Sequence, residues 1–183
     1  MRTTASLSVL LLSLACAAAA TAQAGAPSPQ TQAPASECTP EKPAEARRHK
    51  AVKAEPRLGE KISGYPKWGN FLLMTASGGL QPAYDVRYDG VHYTVATDQD
   101  RKVIEYVSTG DPAFRTPEGL AAGDTLERVL AAAAGAVVSR ERGWAFHVRL
   151  PSGWSAAFTQ GRSMTEGELP PSARVCFFFK RQH

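Results

Sequence analysis

Cysteine is scarce in this chain, with three among 183 residues, and the four histidines, at 49, 92, 147 and 183, stand apart from one another. Two thiols without a neighbouring imidazole do not assemble a zinc site, and no His recurs at i+4, so no metal and no cofactor is expected. There is no G-x-S-x-G nucleophile elbow and no glycine loop that would cradle phosphate; Gly78-Gly79 reads as a turn. After the first two dozen residues no apolar run approaches the roughly 20 residues of a membrane span. A concentrated basic face is missing too. The surplus of Lys and Arg falls before Leu58, and from there on the charge is close to balanced, which argues against nucleic acid as a partner.

What is present divides the chain into three. Residues 1–24 read as a secretory signal, with Arg2 leading an apolar stretch from Leu7 to Ala20 and Ala22-Gln23-Ala24 as the cleavage site. The competing reading is a lipoprotein signal ending at Cys16, where Ser13 occupies a position that usually holds Leu, Val or Ile. Residues 25–57 carry Ala, Pro, Gln, Ser and charge with almost no large apolar side chains, the composition of a disordered tether. Arg47, Arg48, His49, Lys50 and Lys53 form its basic cluster. Residues 58–183 are long enough for one hydrophobic core, so a single domain is expected there. Export implies a periplasmic or secreted location, an oxidising setting in which Cys38 and Cys176 could pair, although their spacing does not require it; the alternative is Cys176 as a small buried hydrophobe with Cys38 free or paired elsewhere.

Within the domain, Leu126, Val129, Leu130 and Ala133 recur at helical spacing behind Asp124, read as the N-cap with Glu127 completing a capping box, and Gly135 ends the run. Thr116 to Leu120 reads as one further helical turn starting at Pro117. The rest reads as strand. Phe71 to Thr75 is a short apolar run. Tyr84, Val86 and Tyr88, then Asp89-Gly90, then Val91, Tyr93 and Val95 predict a hairpin on a type I′ turn, with Tyr88 opposite Val91, Val86 opposite Tyr93 and Tyr84 opposite Val95. A turn over Asp98 to Arg101, with Thr97 opposite Lys102, predicts Ile104 beside Val95 and Tyr106 beside Tyr93. Val137 and Val138 begin another strand. Trp144, Phe146, Val148 and Leu150 line one face of the next, and a three-residue loop with a left-handed Gly153 sets Leu150 against Trp154 and Phe146 against Phe158. The run RVCFFFK, Arg174 to Lys180, is apolar on both faces and so belongs in a sheet interior. These elements predict an α+β domain: an antiparallel meander sheet with one main helix packed on one face.

Thr116-Pro117-Glu118-Gly119-Leu120 followed by Gly123-Asp124-Thr125-Leu126 and Val129 resembles a T-P-E-G-[LI]-x-x-G-[DS]-[ST]-L motif of exported bacterial proteins. More distantly, the segment from Val103 to Phe158 is similar to the small module of the SmpA/OmlA envelope lipoproteins and of the β-lactamase inhibitor protein. The resemblance implies protein binding through a sheet face or loops, without catalysis. The expected role is therefore a non-catalytic envelope protein, an inhibitor or assembly factor, whose partner is a protein or other envelope macromolecule. His147 and Arg149 on a polar strand face, and Met164 and Glu166 in the long Gln160–Ala173 connection, are its expected contacts. The rival reading is a small secreted hydrolase in which Asp85 and His92 meet on the polar face of the first hairpin.

Overall fold

In the computed structural model the described residues are 54–158 and 167–182. Eight strands form one antiparallel sheet: β1 (Lys67–Ala76), β2 (Gly79–Tyr88), β3 (Val91–Thr97), β4 (Ile104–Thr109), β5 (Val138–Glu141), β6 (Ala145–Arg149), β7 (Ser155–Phe158) and β8 (Phe177–Arg181). Their lateral order is β1-β2-β3-β4-β8-β7-β6-β5. Two four-membered runs thus meet at β8, which pairs β4 on one side and β7 on the other. The single α-helix among the described residues, α1, is the seven-residue Leu126–Ala132, and it lies in the crossover from β4 to β5.

This corrects the α+β expectation. The fold is β-rich, and the helix is a plug inside a crossover rather than a second layer. Leu126 and Val129 of α1 are buried, Leu130 packs against the same core and Ala133, the C-cap, is buried at its end, so a stripe of two turns is all that holds the helix to the sheet. The cap differs as well. Thr125, one residue later than expected, is the N-cap and its hydroxyl accepts from the Arg128 amide at 3.3 Å. The Asp124 carboxylate instead accepts from the Ala121 amide at 2.8 Å and pairs with Arg128 at 3.1 Å. Thr116 to Leu120 is a tight turn, not helix: the Gly119 amide donates to Thr116 O, the Thr116 amide donates to Leu120 O, and Gly119 takes φ +77°.

Side chains alternate across strands, so the sheet has two faces, and both are apolar at their centres. Tyr84, Val86, Tyr93, Val95, Val107, Val148, Ala156, Phe158 and Phe178 are buried on the first, covered by Ile62, Phe114, Leu120, Leu126, Val129 and Val175 from the connecting segments. On the second, Ala83, Ala96, Tyr106, Trp144, Ala145, Ala157 and Phe179 form a smaller cluster. The first hairpin has the predicted register, with Asp89 at φ 47° and Gly90 at φ 80°. The second turn also matches: Phe146 faces Phe158, and Gly153, at φ 82°, donates to Leu150 O.

The β3–β4 register does not match. Val95 faces Val107, Ala96 faces Tyr106 and Thr97 faces Ile104, with an irregularity between the last two. The Asp98 carboxylate accepts from the amides of Lys102, at 2.7 Å, and Val103, at 3.3 Å, and Arg101 adopts φ 61°, so the connection consumes more chain than a tight turn would. Tyr106 therefore leaves the face of Tyr93 and enters the second cluster. Trp144 does likewise. It precedes β6 in a turn, with its amide donating to Glu141 O, and packs with Phe179 rather than with Phe146. Cys176 is disulfide-bonded; Cys16 and Cys38, the signal, the tether's basic cluster, Met164 and Glu166 lie outside the described residues.

Candidate functional site

The second face has little covering it from elsewhere among the described residues, and it is here that polar side chains gather. Strand register lays Asp85, Thr94, Ser108, Phe179, Ser155 and Arg149 in one row across six strands. Sheets twist with a fixed hand, which brings distant parts of a wide sheet together over one face. The two ends of the strand order meet in that way. Trp144 Nε1, beside β6, donates to Met74 O of β1 at 2.9 Å, and the Ser77 amide donates to Glu141 Oε1 of β5 at 2.6 Å.

Arg181 of β8 completes this clasp. One of its nitrogens donates to Thr75 O at 3.1 Å and the other to Glu141 Oε2 at 2.7 Å, while the guanidinium lies 4.9 Å from the centre of the Trp144 ring. Burial on its own would raise the Glu141 carboxyl, but hydrogen bonds from Arg181 and the Ser77 amide, together with the Arg181 charge, hold it below the usual carboxylate range. Tyr106, in the same cluster, is pushed well above the usual phenol range by burial.

Two cavities open beside the clasp, and Arg181 lines both. The smaller, about 220 Å³, is walled by His147, Arg149, Ser139, Ser155 and Phe179. The larger, about 700 Å³, sits at the β1–β2 turn and is lined by Thr75, Leu80, Gln81, Gln99, Glu105 and Gln182. His147 and Arg149, singled out from sequence, thus share one cavity wall. His147 lies against aromatic rings, 5.5 Å from Phe179 and 6.1 Å from Trp144.

Asp85 and His92 are also brought together. His92 Nε2 stands 3.1 Å from Asp85 Oδ1, the Thr94 hydroxyl donates to the same oxygen at 3.2 Å, and Trp68 stacks on the imidazole at 5.8 Å. Among the described residues no Ser, Thr or Cys is hydrogen-bonded to the His92 imidazole as a nucleophile would be. Ser108, next in the row, donates to Thr94 O at 3.5 Å, and Thr94 stands between it and Asp85. Among the described residues no group of three or more His, Cys, Asp or Glu is placed to hold a metal ion.

The motif residues have structural work. Leu120 is buried, and Glu118 accepts from the Ser152 amide at 2.7 Å and the Ser152 hydroxyl at 3.0 Å, fastening the crossover to the β6–β7 turn. Burial would raise the Glu118 carboxyl; these bonds overcome it and leave it below its ordinary value. Sequence reasoning passed over Arg181, Glu141, Gln81 and Glu105. Each is an ordinary polar residue on a strand, and only the folding of the sheet gives it a partner.

No protein-family model matches the chain, and none of the curated proteins is similar to it. Among solved structures it is similar to the crystal structure of the uncharacterized protein yfeY from Escherichia coli. The identity is 14%, the TM-score 0.47, and the match covers 72% of this chain and 95% of that one.

Proposed function

We propose that the protein is an exported, non-catalytic binding protein of the bacterial envelope, periplasmic or secreted, that acts by protein–protein contact as an inhibitor or assembly factor. One observation carries this reading. Of the six exposed large hydrophobic residues among the described ones, Phe71, Leu72, Met74 and Leu80 lie on the β1–β2 hairpin, with Leu72 at 64% and Leu80 at 52% exposure. β1 is also an edge strand with a single strand neighbour. Leu72, Met74 and Leu80 share one face of this hairpin, and an exposed apolar strip at a sheet margin favours association with another chain. His147 and Arg149 are the accompanying polar contacts, with Met164 and Glu166 the candidates in the long connection. No helix among the described residues is long and apolar enough to cross a membrane.

The test is crosslinking of the full chain in native envelope, with Leu72→Asp and Leu80→Asp as variants. A specific protein adduct that both substitutions remove, while circular dichroism is unchanged, is the expected result. The hydrolase reading draws on the 3.1 Å contact between Asp85 and His92. Turnover of a small ester or amide that His92→Ala abolishes, with no specific adduct formed, would replace the binding reading with that one.

A further inference from the structure

The cavity of about 700 Å³ beside the β1–β2 turn has the size of a small-molecule site and a lining unlike the rest of the surface. Its floor is a fixed hydrogen-bond ladder. The Thr75 hydroxyl donates to Gln81 Oε1 at 2.7 Å, and Gln81 Nε2 donates to Glu105 Oε2 at 2.5 Å. The carboxylate can only accept, so the amide nitrogen of Gln81 must face it, and the side chain is held in one orientation. Gln81 then keeps one N–H and Glu105 one oxygen for a guest, a donor beside an acceptor. Gln99, whose amide nitrogen donates to Leu80 O at 3.2 Å, adds a carbonyl oxygen, and Gln182 also lines the wall.

A neutral hydroxyl both donates and accepts, which is what such alternation matches. Charge selects in the same direction. Glu105 repels an anion, and the one cation on the wall, Arg181, is already engaged by Glu141 and Thr75 O. Half-exposed Leu80 supplies an apolar strip at the rim for the C–H face of a ring. We propose that this cavity binds a neutral, hydroxyl-rich ligand, a sugar unit, through Gln81, Glu105, Gln99 and Gln182 with Leu80 against it at the rim. The site goes beyond the protein-binding reading and adjoins the exposed hairpin, sharing Leu80 with it; Gln99, which lies outside that hairpin, separates the two in the test, and no bond-breaking step is involved.

The test is an amide-detected NMR titration of the full chain with glucose and, separately, with inorganic phosphate. Glucose is expected to shift the side-chain amide signals of Gln81, Gln99 and Gln182 and the backbone signals of Gly78 and Gly79 to saturation, and phosphate to leave them in place. Glu105→Gln is expected to weaken glucose binding about tenfold. Gln99→Ala, at the exposed rim, tests the site without disturbing the floor and is expected to weaken binding similarly. Cosedimentation with purified cell-wall glycan, competed by glucose, identifies a polymer as the source of the sugar; glucose shifts without cosedimentation identify a free one. Absence of saturable shifts, shifts unchanged in both variants, or competition by phosphate would overturn the proposal.

Discussion

Glu118 and Glu141 each join segments far apart in sequence, and both carboxyls are held below their ordinary range against the opposing effect of burial. In the folded chain they bind fewer protons than in the unfolded one, where a glutamate titrates near pH 4.3 (about). Their contribution to stability is therefore complete above that pH and is lost as pH falls through the folded values. Urea unfolding followed between neutral pH and pH about 3 is expected to show a falling midpoint only in the acid part. Replacing Glu118 by Ala leaves the Ser152 amide without its acceptor and is expected to cost about 1–3 kcal/mol. That loss is read as a drop in the urea midpoint, with Glu118→Gln recovering part of it. Trp144→Phe keeps a ring against Arg181 but removes the donor to Met74 O, an expected loss of about 1 kcal/mol. None of these partnerships could be read from the sequence. Glu118 stood out there only as a motif letter, and its hydroxyl and amide partner belongs to a turn that is distant in the chain.

Among elements, the legible ones are those whose register a tight turn fixes. Asp89-Gly90 and Pro151-Ser152-Gly153 each leave a single pairing that keeps apolar side chains together, and Tyr84 to Val95 and Phe146 to Phe158 meet as expected. The β3–β4 connection lacked that constraint, because Asp98 caps two later amides and the loop absorbs extra chain. Tyr106 thereby changes face. The helix was found but overvalued: its stripe is buried from Leu126 to Ala133, yet the element is only seven residues long and sits in a crossover of a β-rich fold. Thr125→Ala is expected to cost about 1 kcal/mol through the lost cap. Leu126→Ala, at a site only 5% exposed, is expected to cost about 2–5 kcal/mol. Thermal unfolding of the two variants ranks them, and equal effects would show that α1 adds no packing.

For the molecule as a whole, β4 and β8 form the centre of the sheet and β1 and β5 its margins. Local opening runs from the edges inward, so hydrogen exchange is expected to be slowest at Val107 and Phe178 and fastest along β1 and β5. Comparable rates in β1 and β4 would contradict the strand order. That part of RVCFFFK lies in a sheet interior was readable from its two apolar faces, although the strand starts only at Phe177 and Arg174 to Cys176 precede it. Its neighbours were not, because periodicity carries no information about which distant strand will pair. His147 and Arg149 were legible as a polar strand face, and their cavity depends on Phe179 and Arg181 arriving from β8. Because β8 comes last among the described strands yet stands fifth in the lateral order, Phe177–Arg181 alone covers the facing hydrogen-bonding rims of β4 and β7. It is the keystone of this arch, and without it neither flank has a complete sheet of its own.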